Sequence, residues 1–195
     1  MKNATKTQKK KAPATSHDHG HEHGHSHGEG GCCGHDHGLV CELHLRLVHP
    51  QDLKELRAAW KGSGHTLDDR DTDKSLARCL DQHRNFFRVF VAEAQMVETS
   101  QNEKVGKPRI AGGIIAAFDG RSATFYRLGV HPDFRGIGLA AALLETAEKQ
   151  GKLWGASHMR LENSAADSDE DLQKVLATAG WKSATVCWEK TQKAR

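Results

Sequence analysis

The stretch Tyr126-Arg-Leu-Gly-Val-His-Pro-Asp-Phe-Arg-Gly-Ile-Gly-Leu-Ala-Ala141 contains the features that decide the fold. It predicts a strand that ends at Val130, then a proline turn, then an alanine-rich helix opened by glycines. Gly136 and Gly138 let a ligand approach the backbone closely, and the first helical turn presents unpaired N–H groups at the positive end of the helix dipole. Arg135 adds a fixed positive charge beside that turn. The stretch therefore predicts a pyrophosphate site, with an ordinary helix start as the alternative.

The same glycines also fit the dinucleotide fingerprint G-x-G-x-x-G/A, which gives a second alternative. A strand precedes the fingerprint, and Glu162 ends the next strand, where an acid that binds a ribose would lie. Two features argue against a dinucleotide fold. Residues His131–Arg135 separate the strand from the first glycine, and only the last 33 of the 195 residues follow Glu162, too few for the remaining βα units.

Working outward from this stretch, the chain predicts one α/β domain over residues 39–195. The predicted strands are Cys41–Val48, Phe86–Ala94, Arg109–Phe118, Ala123–Val130, His158–Leu161 and Thr185–Glu189. The predicted helices are one opened by His49-Pro50 and ended by Gly62 and Gly64, and the segments Asp73–Asn85, Gly136–Gln150 and Ser168–Ala179. The polar stretch Gln95–Lys107 is predicted to be a loop.

The order of these elements predicts the fold class. The three middle strands have short connections and should pair antiparallel, whereas the strand–helix–strand from Phe125 to Leu161 should be a right-handed parallel crossover. We therefore expect a mixed, mostly antiparallel central sheet flanked by helices.

At the residues quoted first, the sequence resembles the GCN5-related N-acetyltransferase (GNAT) superfamily. The family's phosphate-binding motif is Arg or Gln, two residues, Gly, one residue, then Gly or Ala, which Arg135, Gly138 and Ala140 match. The element order and the Gly180-Trp181 turn are also similar to the family's. The resemblance implies a GNAT-like acyl-CoA N-acyltransferase fold and acetyl-CoA as co-substrate. The cofactor-binding residues that it implies are Leu128 and Val130 for the pantetheine arm, and Arg135, Gly136, Ile137, Gly138, Leu139 and Ala140 for the pyrophosphate.

The resemblance also implies direct attack of a primary amine on the thioester in a ternary complex. Many relatives have a general-acid tyrosine four residues before the glycine of the final turn, but Leu176 occupies that position here. Tyr126, the only tyrosine in the chain, or water can substitute, or the acid is dispensable because a thiolate is a tolerable leaving group. Glu93 and Glu162 are the candidate bases, and each can equally be a solvated strand carboxylate.

Residues 1–38 have almost no apolar side chains, and we predict that this tail is disordered. Histidine occupies every second position from residue 17 to residue 27, so in an extended chain several imidazoles can converge on one ion. The predicted metal ligands are His17, His19, His21, His23, His25, His27, Cys32, Cys33, His35 and His37. Imidazole and thiolate ligands suit Ni, Zn, Co or Cu in a non-catalytic role. The alternative is a solubilising tail that chelates metal only incidentally.

Charge and composition narrow the expected partners. Outside the tail, 23 basic residues face 21 acidic ones, so charge alone does not indicate nucleic-acid binding. No secretory signal and no apolar run of the ~20 residues of a membrane span is present, and five cysteines without framework spacing suit a reducing compartment. We expect a cytoplasmic protein without nucleic-acid or membrane partners, and a homodimer is left open.

Three functions remain compatible with the sequence, and we favour them in this order. The first is an N-acetyltransferase that acts on a small-molecule or protein amine and has a metal-binding tail. The second is a metal-handling protein in which the domain is a docking module. The third is a coenzyme-A-binding regulator without catalysis, which the missing tyrosine permits.

Overall fold

The computed structural model describes residues 39–98, 103–163 and 169–183, and within these ranges the chain forms five strands, four α-helices and three short 3-10 helices. The strands are β1 (Leu39–Leu47), β2 (Phe87–Glu98), β3 (Glu103–Phe118), β4 (Ser122–Val130) and β5 (His158–Glu162). The helices are α1 (Leu53–Gly62), α2 (Asp73–Gln82), α3 (Leu139–Leu153) and α4 (Glu170–Thr178). The tail of residues 1–38 and the predicted strand Thr185–Glu189 lie outside the described residues.

The strands form one sheet in the order β1-β2-β3-β4-β5. The pairs from β1 to β4 are antiparallel, and β4 pairs with β5 in parallel through the α3 crossover. The predicted mixed, mostly antiparallel sheet is therefore confirmed. Because a parallel pair needs a long connection, α3 has to cross one face of the sheet between β4 and β5.

The two faces of the sheet carry different cores. On one face, α3 buries Leu143, Leu144 and Ala147 against the alternate residues of the central strands, together with α4. On the other face, α1 and α2 pack over the sheet, and Leu56 and Trp60 of α1 have no exposed surface. Burial of each such side chain contributes about 1.5–3 kcal/mol, and the spacing of three and four residues places these side chains on the one face of α1 that packs on the sheet.

The predicted loop Gln95–Lys107 is wrong, because most of this segment is β-sheet. β2 continues to Glu98 and β3 begins at Glu103, so the two strands form a long hairpin. Gln95 is 3% exposed, and its amide nitrogen donates to the carbonyls of Met96 (2.9 Å) and Val105 (3.1 Å). Its hydrogen bonds explain how a polar residue is accommodated inside a strand.

The predicted helix opened by His49-Pro50 begins as a 3-10 turn over Pro50–Asp52 that leads into α1, and the predicted starts of α3 and α4 are displaced. α3 begins at Leu139 instead of Gly136, because Gly136 and Gly138 have φ angles of 77° and 81°, which are not helical. α4 begins at Glu170, and the side chain of Asp169 accepts hydrogen bonds from the first-turn N–H groups. Both differences lie at helix ends, where glycine and capping residues set the boundary.

Candidate active site

A β-bulge interrupts β4 just before its end. The register passes from Gly113↔Gly129 to Ile115↔Tyr126, so two residues of β4 face one residue of β3. Arg127, in the bulge, has a φ of 56°, and it is the one non-glycine residue with positive φ in the described ranges. A bulge of this kind bends the strand and turns its backbone groups away from the ladder.

β4 and β5 separate beyond this bulge. Their parallel ladder ends at Tyr126↔Glu162, whereas β4 continues to Val130. The N–H of His131 donates to the carbonyl of Ala111 on β3 (2.8 Å). Backbone groups alternate in direction along an antiparallel strand. The N–H and C=O of Val130 therefore point away from β3, toward the edge of β4 that is no longer paired with β5. An extended ligand can therefore lie beside the end of β4.

The start of α3 opens beside the same end of β4. Its first intrahelical hydrogen bond runs from the N–H of Ala142 to the carbonyl of Gly138 (3.1 Å), so the three preceding N–H groups have no partner within the helix. Gly138 supplies no side-chain cap, the first turn contains no acid, and residues 136–138 are exposed. By contrast, Thr72 caps α2 and Asp169 caps α4. The positive end of the α3 dipole is thus open to an anion.

Arg135 lies next to this helix start, as predicted. Its Nη2 atom is 3.5 Å from the carbonyl oxygen of Ser63 and 3.5 Å from a carboxylate oxygen of Asp169. The Arg135 side chain is 45% exposed, and both contacts are long, so the guanidinium can exchange them for a bound anion at little cost.

The turn between β4 and α3 is stabilised by one contact within the turn and by one contact with β3. Nδ1 of His131 accepts from the N–H of Asp133 (3.3 Å), and the guanidinium of Arg109 lies over the ring of Phe134 (5.5 Å to the centroid). The first contact lies within the turn, and the second connects the turn to β3, which contains Arg109.

Tyr126 and Glu162, two of the three predicted catalytic residues, are brought together. They are register partners on neighbouring strands, so their side chains project from the same face of the sheet. Tyr126 packs against the core under α1 and α2, which places both residues on that face, at the point where β4 and β5 separate.

Glu93, the third predicted catalytic residue, lies apart from the other two. It is on β2, with β3 between it and β4. One of its carboxylate oxygens accepts from Nε (3.0 Å) and Nη2 (2.6 Å) of Arg46, which also binds Asp52 (2.6 Å). The hydrogen bond to Asp52 raises the pKa of Arg46 above its ordinary value. Glu93 therefore lies within an ion-pair network that links β1, β2 and the turn before α1.

The structure adds a buried histidine that the sequence analysis missed. His65 follows α1, is 4% exposed, and places Nε2 3.1 Å from the carbonyl oxygen of Leu128 in the bulge. The same oxygen accepts from the side-chain amide of Asn163 (3.0 Å). Burial lowers the pKa of His65 below its ordinary value. A contact of Leu128 with a pantetheine arm would have to use its N–H, because its carbonyl is already occupied.

A second ion-pair network lies beside His65 on the α1/α2 face. Nη2 of Arg127 is 2.7 Å from Asp71 and 3.3 Å from Asp68. The hydrogen bonds from Arg70 lower the pKa of Asp68 to about 2. Arg127 is 15% exposed and Asp71 is 4% exposed in their side chains, so this pair is the more buried of the two contacts.

The predicted metal ligands of residues 17–37 lie outside the described residues. Within residues 39–98, 103–163 and 169–183, no three His, Cys, Asp or Glu side chains are grouped so that they could hold a metal ion. In the same ranges, no helix has the length and apolar character that a membrane crossing requires.

Comparison with known proteins relates this geometry to one family. Residues 85–172 match the family model described as an acetyltransferase (GNAT) domain. An acetyltransferase of Pectobacterium atrosepticum is 26% identical over 108 residues, which cover 55% of this chain and 67% of that protein.

Solved structures extend the similarity to the fold. A protein described as a predicted acetyltransferase of Clostridium acetobutylicum, solved with acetyl-CoA, gives a TM-score of 0.54 at 17% identity over 76% of this chain and 96% of that chain. Glucosamine-6-phosphate N-acetyltransferase of Arabidopsis thaliana gives a TM-score of 0.52 at 15% identity over 77% of this chain and 99% of that chain. These similarities confirm the predicted fold class.

Proposed function

We propose that this chain, which carries a GNAT acetyltransferase domain in residues 85–172, transfers an acetyl group from acetyl-CoA to a primary amine. The observation that carries the proposal is the uncapped, exposed start of α3 beside the separated ends of β4 and β5. An anion site and an open strand edge meet there, which suits a ligand that joins a pyrophosphate to an extended amide-containing arm.

The pyrophosphate lies at the start of α3 in this proposal. The amides of residues 135–140 and the guanidinium of Arg135 bind it, because the helix dipole and the unpaired N–H groups favour negative charge there. The pantetheine arm follows β4, where Val130 directs its N–H and C=O into the gap and Leu128 contributes its N–H. The thioester then reaches the level of the bulge.

The acceptor amine approaches from the α1/α2 face, where Tyr126 and Glu162 project side by side. Its nitrogen attacks the thioester carbonyl, the new C–N bond forms, and the C–S bond breaks to release the coenzyme-A thiolate. The proton lost by the amine passes to Glu162, directly or through water, and Tyr126 is the side chain available to protonate the thiolate. We assign Glu93 no proton transfer, because its carboxylate pairs with Arg46.

Leu176 favours the non-catalytic regulator as the second candidate. Its side chain packs against the core under α3, so the position of the family's general acid contributes apolar packing instead. Binding of acetyl-CoA without transfer to any amine would support this alternative.

The tail is assigned a separate role. Residues 1–38 bind Ni, Zn, Co or Cu through the repeated histidines and the Cys32-Cys33 pair, without taking part in the transfer. The support for this assignment is the ligand spacing in the sequence.

The test is transfer to a panel of polyamines, amino sugars, amino acids and peptides, measured by thiol release and by mass spectrometry of the product. As a control for the cofactor site, the affinity for acetyl-CoA is measured for the wild-type chain and for Arg135→Ala. We expect a product 42 Da heavier, which is the mass of one added acetyl group, for at least one amine class, and a weaker affinity for acetyl-CoA in the variant. Thiol release with no acetylated product from any amine would refute the transfer.

A further inference from the structure

The carbonyl of Leu128 lies where β4 has lost its β5 neighbour, and two side chains take the place of the missing strand. The amide nitrogen of Asn163, the residue after β5, is 3.0 Å from this oxygen. Nε2 of His65, which comes from the loop after α1, is 3.1 Å from the same oxygen. We call His65 and Asn163 the carbonyl clasp.

The chemistry of the clasp determines the state of His65. A carbonyl oxygen only accepts hydrogen bonds, so Nε2 of His65 has to carry the proton. Nδ1 is buried and has no hydrogen-bond partner among the described residues, so a second proton there would be a buried donor without an acceptor from them. The charged groups that act on the ring are Arg127 and Asp71, of which Arg127 opposes protonation and Asp71 favours it. His65 is therefore held as the neutral ring with its proton on Nε2.

Gly129 makes the approach of His65 to the strand feasible. A Cβ at this position would lie 2.3 Å from Oγ of Ser63 and 3.1 Å from Nε2 of His65. The α1 loop can therefore touch the β4 backbone only because residue 129 has no side chain. The loop after α1 and the backbone of β4 are therefore closely packed at Gly129.

We propose that His65 and Asn163 are positioning residues that saturate the Leu128 carbonyl, so that this oxygen does not face the bound thioester as an open acceptor. This inference rests on the proposed function. When an amine attacks a thioester, negative charge develops on the thioester oxygen, and an exposed carbonyl oxygen in the same gap would repel it. Two donors on the Leu128 oxygen reduce its negative potential and hold the peptide unit of the bulge in one direction.

The kinetic test compares two replacements of His65. The amide of His65→Gln can place a donor near the position of Nε2, whereas His65→Leu removes the donor. We expect His65→Leu to lower kcat tenfold or more while the Kd for acetyl-CoA changes less than about threefold, and His65→Gln to keep kcat within about threefold of wild type. Asn163→Asp, which presents an acceptor to the carbonyl, should lower kcat in the same way. Equal losses in His65→Gln and His65→Leu, or an unchanged kcat in His65→Leu and Asn163→Asp, would overturn the proposal.

A second measurement does not depend on activity. Long-range proton–nitrogen NMR on the wild-type chain should show His65 as the neutral tautomer protonated on Nε2. A proton on Nδ1 in the neutral ring would overturn the clasp whatever the kinetics show. If the chain acetylates no amine but shows the Nε2–H tautomer, the proposed function is refuted, and the catalytic role of the clasp is refuted with it. The hydrogen bond from His65 to the Leu128 carbonyl would still stand. The two failures are therefore distinguishable.

Discussion

Gly138, the residue before α3, is the position where one substitution tests the phosphate-binding loop most directly. It lies at φ 81° and ψ 12°, and a Cβ added there meets no atom within 4 Å. Gly138→Glu therefore has room for its side chain, and the cost to folding is a left-handed backbone, about 1–2 kcal/mol. A carboxylate at the positive end of the helix dipole regains about 0.3–1 kcal/mol. The net loss of about 1 kcal/mol should leave the domain folded.

The same carboxylate faces the bound pyrophosphate. At about 5 Å, two like unit charges repel each other by about 3 kcal/mol at an effective dielectric constant of about 20, which corresponds to more than a hundredfold in Kd. Because residues 136–138 are exposed, salt screens part of this repulsion. We expect acetyl-CoA affinity to fall by about 10- to 100-fold at physiological ionic strength, and by more at low salt.

Isothermal titration calorimetry with acetyl-CoA measures this change, and Gly138→Gln is the matched control with the same backbone strain and bulk but no charge. The Glu variant should bind at least tenfold more weakly than the Gln variant, and added salt should reduce the difference. If Glu, Gln and wild type bind alike, the pyrophosphate does not lie at this helix start. If Glu and Gln weaken binding equally at every salt concentration, shape and not charge is responsible, and the electrostatic reasoning is refuted.

Three further predictions concern the α1/α2 face and the tail. Asp71→Asn removes the more buried carboxylate partner of Arg127 and leaves Asp68, at 3.3 Å, as its remaining ion-pair partner. Urea denaturation should show a loss of about 2–3 kcal/mol, below the ~3–5 kcal/mol of a fully buried pair, and an unchanged midpoint would contradict this. Burial lowers the pKa of His65 in the folded chain. As the pH falls below about 6.5, His65 therefore takes up a proton in the unfolded chain before it does so in the folded chain, and wild type should lose stability relative to His65→Gln. A difference in Tm between the two proteins that stays constant from pH 8 to pH 5 would argue against that linkage. Deletion of residues 1–38 should abolish Zn and Ni binding in calorimetry and leave transfer nearly intact, whereas a large loss of turnover would connect the tail to the chemistry.

Elements with a local pattern could be predicted from the sequence. Leu53, Leu56 and Trp60 recur at helical spacing, and α1 forms where they predict it. The Gln95–Lys107 segment lacks such a pattern, because its hairpin presents polar side chains on both strands. What makes it a sheet is pairing with distant residues, as in Leu39↔Glu98. Backbone pairing of that kind leaves no periodic signal in the side chains.

The same distinction applies to the candidate site. Arg135 and the following glycines could be predicted because the helix start, the charge and the turn lie within one continuous motif. The partner of Glu93 is Arg46, 47 residues away, and the carbonyl bound by His65 is 63 residues away from it. A histidine in a Gly-Ser-Gly-His loop looks solvent-exposed in the sequence, and only the approach of α1 to Gly129 buries it.

The parallel pairing of β4 with β5 has a consequence for the order of folding. Few residues separate β2 from β3 and β3 from β4, so these strands can pair early, whereas β5 can pair with β4 only after α3 has crossed the sheet. The gap between β4 and β5 acquires its shape last, and under mild denaturant we expect its amide protons to exchange before those of β2 and β3.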